Sequence, residues 1–576
     1  MNGKIGSFTF VLHTHLPYVI THGKWPHGSD WLNEAAAEVY IPILNILNEL
    51  LEEGYHPKLS IGISPVLAEQ LSDPLFKETF TQYLQEKITA AEKDEIYFHK
   101  NGDSHLKSTA QFWINWYTER KKDFCDKYKA DLISAFRKLM QNGVLDILTC
   151  GATHGYFPLL SQDESIEAQV KVAVDTHKEL FGVKPRGIWL PECAYRPRYI
   201  WKAPVKTEYL TGEYERQGVE EILAKYGLEF FIIDSAMLLG GKPIGVYLER
   251  FGGLKEIWEQ HQKQISIRPE EFEKSVYEIY LVDSPNSPIS PSVAVFTRDP
   301  KTALQVWSGE WGYPGDGNYL EFHKKHHLSG HRYWRVTHSE ADLADKLKYV
   351  PEAVEERLEA HSSHFVYLVE ETLSSYHTMT KKKGILTAPF DTELFGHWWF
   401  EGPRFLKKVL QKIENSKLIE LTNTSQALDT FKPDKVIQLP EGSWGEGGHH
   451  FIWLNENTEW TWKEIYKNEI VFKKIVSKYL DKADEKLTFL LTQAARELLL
   501  LQASDWQFLI STQSARKYAE ERFFNHNSDF NKLIKFIEQY AETGTLSQDD
   551  WEYANECLER NFLFPNIDLK IWKSGN

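Results

Sequence analysis

The first 400 or so residues predict a parallel α/β fold, either a barrel or a doubly wound sheet. Short apolar runs with β propensity alternate there with stretches of helical periodicity, which is the pattern of strand–helix–strand units. Two of the apolar runs lead through a proline to an acidic residue, at Glu192 and at Asp391. Acidic residues at the carboxyl ends of parallel strands, followed by long loops, are typical of barrels, so the barrel is favoured.

Length, charge and composition limit the function classes that need to be considered. A chain of 576 residues exceeds one ordinary core, and we expect two or three domains. The formal net charge of −16 argues against nucleic acid and anionic membranes as partners. An aromatic share of 14%, with 19 Trp, weakly favours a carbohydrate ligand, although an aromatic-rich core has the same composition.

The cysteines and the N-terminal segment bear on cellular location. The 4 cysteines are scattered without a CxxC pair, so neither a disulfide framework nor a cysteine zinc site is predicted. The chain begins with a short polar segment that leads directly into a predicted strand, and it contains no apolar run long enough to cross a membrane. We therefore expect a soluble, cytoplasmic protein.

Residues 8–18 predict the first strand, which Pro17 ends. At a strand period of two, His13 and His15 point to the same face. Such a pair can bind a metal, hydrogen-bond sugar hydroxyls or have a structural role, and the spacing alone does not choose between these roles.

The elements that follow continue the alternation. They are predicted as a helix over 34–53, a strand over 58–64, mostly helix over 67–143, a strand and loop over 145–158, and a helix over 164–182. His154 lies in the loop at 145–158, between Gly151 and Gly155. A turn histidine is the simpler interpretation, but flanking glycines allow close backbone approach and favour a site role.

The chain is organised around residues 187–195, where an apolar strand ends at Pro191 and Glu192 follows. Residues 385–401 show the same pattern, an apolar strand and a proline followed by an acid, here Asp391. Two carboxylates at strand ends beside aromatic rings suit glycosidic chemistry, in which one attacks the anomeric carbon or activates water and the other protonates the leaving oxygen. The alternative for Glu192 is a residue that caps the next helix.

Two insertions and a second domain complete the predicted architecture. Residues 198–226 predict a helix–loop–helix excursion, and residues 240–292 a long loop that is more often a lid or a binding loop than filler. We assign residues 1–402 to the barrel domain and residues 403–576 to a mainly helical domain. Asp505 interrupts an apolar helix in that second domain and is expected to be paired or functional.

Five stretches resemble the sequence regions of glycoside hydrolase family 57. They are His13-Thr-His15-Leu-Pro, Ala152-Thr-His154-Gly, Trp189-Leu-Pro-Glu192-Cys-Ala-Tyr, Ala388-Pro-Phe-Asp391-Thr-Glu-Leu-Phe-Gly-His-Trp-Trp and Trp444-Gly-Glu-Gly-Gly. The stretches occur in the family's order, and the resemblance covers essentially the full length. Within the family, the chain most resembles the α-1,4-glucan branching enzymes.

This resemblance implies an incomplete (β/α)7 barrel with a helix–loop–helix insertion and a helical C-terminal domain over the cleft. It also implies a retaining mechanism without metal or cofactor, with Glu192 as nucleophile and Asp391 as proton donor. The implied reaction transfers α-1,4-glucan segments to 6-hydroxyls and forms α-1,6 branches, as in glycogen biosynthesis. For such a mechanism we expect the two carboxyl groups to lie roughly 5 to 6 Å apart.

A set of glucan-binding residues is implied as well. Some of these residues match positions where the family binds glucan, and the others are candidates for the same role. The full set is Arg298, Gly315, Trp444, Asp505, His13, His15, His154, Trp31, Trp307, Trp453 and Ser514. The chain departs from the family at Ser511-Thr-Gln513-Ser514, where Thr-Gly-Gln is common. It also has Ile244 where branching enzymes tend to carry a loop tyrosine, with Tyr247 as the candidate substitute.

Other functions stay open at this point. An α-amylase or a 4-α-glucanotransferase would use the same scaffold with a different acceptor. A metal-dependent hydrolase would use His13, His15 and His154 as ligands. A non-enzymatic glucan-binding regulator would need neither carboxylate, and the presence of both argues against it. The oligomeric state is not predicted.

Overall fold

The computed structural model describes residues 3–240, 273–308, 312–338 and 340–573. Most of the predicted loop at 240–292, including Tyr247, lies outside the described residues. The described strands are β1 (Gly6–Thr14), β2 (Leu59–Ile63), β3 (Leu145–Leu148), β4 (Gly187–Ile188), β5 (Tyr199–Lys202), β6 (Glu213–Arg216), β7 (Phe230–Ile233), β8 (Tyr280–Val282), β9 (Val293–Thr297), β10 (Gly384–Asp391), β11 (Ile419–Leu421) and β12 (Val436–Ile437).

Helices connect and cover these strands. In chain order they are α1 (Ser29–Ala35), α2 (Ile41–Glu52), α3 (Pro65–Ser72), α4 (Pro74–Lys100), α5 (Ser104–Lys122), α6 (Leu132–Gln141), α7 (Asp163–Phe181), α8 (Val219–Lys225), α9 (Ser235–Leu239), α10 (Pro300–Trp307), α11 (Val354–Thr380), α12 (Gly402–Glu414), α13 (Thr424–Thr430), α14 (Glu459–Tyr479), α15 (Glu485–Leu501), α16 (Ser504–Thr512), α17 (Arg516–Thr543) and α18 (Gln548–Arg560). No helix in the described part of the chain is both long and apolar enough to cross a bilayer.

Parallel strand pairing runs in a ring, which confirms the predicted α/β class. One sheet contains β10, β1, β2 and β3 in that order, and a second contains β9, β7 and β4. Parallel bridges join the two sheets, from Thr149 to Ile188 on one side and from Arg298 to Thr387 on the other. The pairing therefore passes through seven strands and returns to β1, as a seven-stranded barrel requires.

Full burial explains why β7 and β9 are almost entirely apolar rather than alternating in polarity. Every residue of β7 is buried, as is every residue of β9. Strands of a parallel sheet that is covered on both faces read in this way. Strand β10 continues through Pro389 to Asp391, so this acid is the last residue of the strand and not part of the following loop.

The predicted helix–loop–helix over 198–226 is wrong in its first half. Strands β5 and β6 form an antiparallel hairpin there, and of the predicted helices only α8 is present in this described segment. Residues of β5 alternate between buried and exposed, with Trp201 inside and Ile200 outside. That period of two belongs to a strand that covers the core with one face.

The strands beyond residue 402 bear on the predicted domain division. Strand β11 pairs with β1, and β12 pairs with β8, so the segment up to residue 437 is part of the sheets. Helices α14 to α18 follow without further strands among the residues described. This pairing favours a boundary after residue 437 over the predicted one at 402/403.

The helical domain touches the carboxyl ends of the barrel strands. Ala503, between α15 and α16, forms an antiparallel bridge with Gly155 in the loop after β3. The amide of Ser504 donates to the carbonyl of His154 at 3.0 Å. These contacts bring the start of α16 to the strand end where the candidate site residues lie.

Candidate active site

Glu192 lies in a tight turn immediately after β4. The turn Pro191–Cys193 is a 3-10 helix in which Glu192 has a φ of +60° and Cys193 a φ of +48°. A non-glycine residue in the left-handed region costs about 1 to 3 kcal/mol and persists only where surrounding contacts fix it. One such contact is the backbone amide of Trp444, which donates to the carbonyl of Glu192 at 3.1 Å.

Two donors from distant segments bind the carboxylate of Glu192. The Trp444 indole Nε1 donates to Oε2 at 3.0 Å, and the Ser504 hydroxyl donates to Oε1 at 3.0 Å. Burial raises the pKa of Glu192 to about 7, and the charge of Asp505 adds to that rise while the two hydrogen bonds oppose it. The group thus ionises near neutral pH in a setting that holds the carboxylate in one orientation.

Asp391 is the second carboxyl group of the site. It ends β10 beside His13, its register partner on β1. Burial raises its pKa well above the ordinary value, the charges of Glu393 and Glu192 raise it further, and Arg298 opposes them. The negative charge of Glu192 thus opposes ionisation of Asp391, which favours a state in which Glu192 is ionised and Asp391 is protonated.

The three predicted histidines do come together. Nε2 of His13 lies 3.0 Å from Nε2 of His154, and the rings of His15 and His154 stack with centroids 3.9 Å apart. The His13 ring also stacks on Trp189, at 4.7 Å and an interplanar angle of 4°. Burial lowers the pKa of both His13 and His154 well below the ordinary value, so these two rings are neutral near pH 7.

A hydrogen-bond chain joins the histidines to the helical domain. His15 lies 2.8 Å from the Ser64 hydroxyl through Nδ1 and 3.1 Å from the Asp505 carboxylate through Nε2. Nδ1 of His154 lies 2.9 Å from the hydroxyl of Ser504, the residue that also binds Glu192. Asp505 is therefore paired, as its place in an apolar helix predicted.

This cluster bears on the metal alternative. Ligand atoms of His15, His154 and Asp505 lie within 4.8 Å of one another, as do those of His13, Cys150 and His154. The donor types and spacing suit a metal. The hydrogen bonds to Ser64, Ser504 and Asp505 account for the ring positions of His15 and His154 without an ion, and a metal assay separates the two interpretations.

Aromatic and charged side chains surround Glu192 on its open side. The Trp444 ring meets Trp189 edge-on at 5.2 Å and Trp307 edge-on at 5.9 Å. The Arg298 guanidinium lies 5.7 Å from the centre of the Trp444 ring and forms an ion pair with Asp234 at 2.5 Å. Trp307 is 39% exposed, so this wall offers a ring face to a ligand.

Four predicted binding residues, all of them described in the structure, make no recorded contact with the two carboxyl groups. Within the described residues, Gly315, Trp31, Trp453 and Ser514 make no hydrogen bond to Glu192 or Asp391. Gly315 closes a 3-10 turn, Trp31 is half-buried beside His27, and Ser514 is exposed. Their roles in glucan binding stay predictions.

Trp453 lies in the protein core and not in the cleft. It is only 1% exposed, and its ring stacks on Tyr156 at 4.5 Å, so a sugar has no access to it. Tyr156 in turn bonds His450 at 2.6 Å, and His450 bonds Glu441 at 2.9 Å. These contacts anchor both ends of the segment that carries Trp444.

Two residues of the site were not assigned from the sequence. Ser504 bridges Glu192 and His154, although it is 312 positions from Glu192 in the chain. Glu393 accepts a hydrogen bond from the Tyr40 hydroxyl at 2.8 Å, and burial raises its pKa to about 7. The only sequence signals were that Ser504 precedes Asp505 and that Glu393 follows Asp391 by two positions.

Comparison with known proteins identifies relatives over nearly the whole chain. The model of glycosyl hydrolase family 57 matches residues 9–440. A second model, described as 1,4-alpha-glucan branching enzyme, C-terminal, matches residues 464–572. A curated 1,4-alpha-glucan branching enzyme of Thermococcus kodakarensis, TK1436, is 41% identical over 99% of this chain and 79% of its own length.

Two solved structures are similar in fold and in sequence. A GH57-type branching enzyme from Pyrococcus horikoshii has a TM-score of 0.87 and 40% identity, with 99% of this chain and 97% of that chain covered. The α-amylase AmyC from Thermotoga maritima has a TM-score of 0.79 and 26% identity, with 100% of both chains covered. Proteins with different named activities therefore share this fold, so the reaction has to be inferred from the residues of the site and not from the fold.

Proposed function

The chain belongs to glycosyl hydrolase family 57, and on that premise we propose that it is a 1,4-α-glucan branching enzyme with retaining chemistry. The observation that carries the proposal is the position of Glu192, held between Trp444 and Ser504 at the meeting point of the barrel and the helical domain. Support also comes from the match of residues 464–572 to the branching-enzyme C-terminal model. The substrate would be an α-glucan, and the location would be the cytoplasm.

In the first step, the carboxylate of Glu192 attacks the anomeric carbon of an α-1,4-linked glucose unit. The bond from that carbon to the leaving oxygen breaks, and Asp391 gives its proton to this oxygen. The raised pKa of Asp391 favours its protonated form, while the hydrogen bonds from Trp444 and Ser504 stabilise ionised Glu192. A covalent glycosyl-enzyme results.

In the second step, Asp391 takes the proton of an acceptor 6-hydroxyl as that oxygen attacks the anomeric carbon. The bond to Glu192 breaks, and an α-1,6 linkage forms with the original configuration, since two inversions restore it. Water in place of the acceptor would give hydrolysis. Transfer thus requires a bound acceptor and a site from which water is excluded.

Linkage analysis of the products from amylose tests the proposal. We expect new α-1,6 linkages, seen in the proton NMR spectrum, with few new reducing ends. Accumulation of maltooligosaccharides would instead identify an α-amylase, and linear chains of redistributed length would identify a 4-α-glucanotransferase. Activity that is lost in chelator and restored by a divalent metal would favour the metal-dependent alternative.

Removal of the Trp444 ring should favour hydrolysis over branching. Trp444 lies over Glu192 and contacts Trp307, so its loss opens the glycosyl-enzyme to water. In Trp444→Ala we expect both activities to fall and the ratio of new reducing ends to new branches to rise several-fold. Reducing-end and α-1,6 assays on the same digest measure this ratio.

Trp444→Phe is the matched variant for this experiment. It keeps an aromatic ring at the position but removes the indole donor to Glu192. We expect its ratio of hydrolysis to branching to stay near that of the wild type even though the rate falls. An unchanged ratio in Trp444→Ala, together with a lowered melting temperature, would show that the ring only supports folding.

The pH dependence of kcat/KM should move in opposite directions in two variants. Glu192 must be ionised to attack, so kcat/KM should fall as the pH drops below the pKa of Glu192. The raised pKa places this acidic limb of the profile near pH 7. Asp505→Asn removes a charge that raises this pKa and should move the limb to lower pH. Trp444→Phe removes a hydrogen bond that lowers it and should move the limb to higher pH, by about 1 unit in each case.

The comparison uses the position of the acidic limb and not the absolute rate, because both residues also lie at the site. Ser504 and His15 lower this pKa, and His154 and Asp391 also face the Glu192 carboxylate. None of these four is substituted in either variant, and an amide at position 505 can still bond His15. A limb that moves in the same direction in both variants, or in neither, would show that it does not report Glu192.

A further inference from the structure

A partly exposed pair of aromatic rings lies outside the site, with one ring, Trp398, on the loop that follows β10 and the other, Phe322, in the segment 312–338. We call Phe322 and Trp398 the outer aromatic platform. Trp398 is 53% exposed, and its ring centroid lies 4.3 Å from that of Phe322. The proposed mechanism uses neither residue.

Exposure alone would not make Trp398 notable, because single exposed apolar side chains are common on protein surfaces. Trp25, for example, is 76% exposed. What distinguishes Trp398 is that its backbone is fixed to the site loop. Its amide donates to the carbonyl of Glu393 at 3.3 Å, and the amide of Trp399 donates to Leu394 at 2.9 Å.

A buried ionic cluster holds the residue before Trp398. Nδ1 of His397 lies 2.9 Å from the Glu38 carboxylate, and Arg332 pairs with the same carboxylate at 2.9 Å. Arg332 also donates to the His397 carbonyl at 3.0 Å. Ion pairs this deeply buried contribute little net stability but require one geometry, so the direction of the loop at His397 is fixed.

The loop also approaches the Ala36–Tyr40 segment so closely that only glycine fits at position 396. A Cβ there would lie 1.9 Å from the carbonyl oxygen of Glu38, and Gly396 has a φ of +122°. Beneath the platform, the guanidinium of Arg332 lies 5.9 Å from the centre of the Phe322 ring. The exposed Trp398 ring is thus presented in a fixed position, which reduces the entropy lost when a ligand binds.

We propose that the outer aromatic platform binds the α-glucan chain beyond the cleft, with the flat face of Trp398 stacked on the apolar face of a glucose unit. The assignment rests on the proposed function for the identity of the ligand. Trp398 lies seven positions after Asp391, on the anchored loop that follows β10, so a glucan chain that extends from the cleft is the ligand nearest to it in the proposed function. Polar groups lie beside this small apolar surface, since His323 and Lys325 both contact the Phe322 ring. Such a surface matches a sugar better than a protein, whose binding needs a larger apolar area.

Only a chain long enough to reach beyond the cleft would gain from this contact. In Trp398→Ala we therefore expect weaker binding of long amylose and glycogen, by about 3- to 10-fold for the loss of one ring contact. Binding of a short maltooligosaccharide that fills the cleft alone should change less than about 2-fold, because the cleft residues are untouched.

Binding is best measured in the Glu192→Gln background, by affinity electrophoresis in gels that contain glycogen or amylose. The chemistry is then blocked, so the result does not depend on whether the enzyme branches, hydrolyses or redistributes chains. If the protein is not a branching enzyme, the linkage analysis of the wild type will show it and these gels will not. If the platform does not bind glucan, these gels will show it and the linkage analysis will not.

Two further variants make the test specific. Trp398→Leu keeps an apolar side chain against Phe322 without a flat face and should lose binding as Trp398→Ala does. Tyr367→Ala removes another exposed ring, 64% exposed on α11, and should bind as the parent does. Unchanged retention of long glucan in both Trp398 variants would overturn the proposal. So would equal losses for short and long glucans, or a loss of self-association on gel filtration in place of a loss of glucan binding.

Discussion

Glu192→Gln is expected to lower the rate of glucan transfer by about three orders of magnitude or more. The amide has nearly the shape of the carboxyl group but cannot form the glycosyl-enzyme. The Trp444 indole should donate to the remaining carbonyl oxygen, and the amide nitrogen should donate to the Ser504 hydroxyl, so the side chain should stay in the same place. Glucan binding should persist, so the loss should appear in kcat and not in the dissociation constant.

Stability provides the control for this variant. Burial raises the pKa of Glu192 from 4.5 to about 7 in the folded state, so the stability that the protonated group contributes below pH 4.5 is lost as the pH rises to 7. The amide side chain of the variant does not titrate in this range. The melting temperature of Glu192→Gln relative to the wild type should therefore be higher at pH 8 than at pH 5.

A Glu192→Gln variant that keeps more than about a tenth of the wild-type rate would end the assignment of Glu192 as nucleophile.

Asp391→Asn is expected to cause the second large loss, of about two to four orders of magnitude on amylose. This variant lacks the acid of the first step and the base of the second. A donor with a leaving group that needs no proton, such as α-maltosyl fluoride, should still form the glycosyl-enzyme. Azide, which needs no base, should then accelerate turnover and give a glycosyl azide.

Glu393→Gln, two positions after Asp391, is the matched control. Glu393 is half-buried beside Asp391 and bonded to Tyr40, so its replacement disturbs the charge around Asp391 but leaves the acid in place. We expect a smaller loss of rate without rescue by azide. Azide rescue of Glu393→Gln and none of Asp391→Asn would reverse the two assignments.

The sequence was sufficient to predict the strand ends that carry Glu192 and Asp391. Buried parallel strands read as apolar runs, and the acid after each run could be placed at the carboxyl end of its strand. The histidine cluster was predicted only in part. Spacing placed His13 and His15 on one face, but nothing local showed that His154 and Ser504 would close the chain of contacts to Glu192.

Other features depend on tertiary packing and could not be read locally. The hairpin of β5 and β6 was predicted as helix because charged residues and short apolar runs there fit either period. Trp453 was expected in the cleft with Trp444, yet it packs on Tyr156 in the core. Aromatic residues on one glycine-rich loop have the same local pattern whether they face a ligand or a core.

Mass spectrometry of a trapped intermediate is the most direct test of Glu192 as the nucleophile. Asp391→Asn would be incubated with α-maltosyl fluoride, quenched in acid and digested. We expect a maltosyl mass increase on the peptide that contains Glu192, with fragmentation that places the sugar on its side chain. An adduct on a different carboxylate, or turnover of the donor with inverted configuration and no adduct, would contradict it.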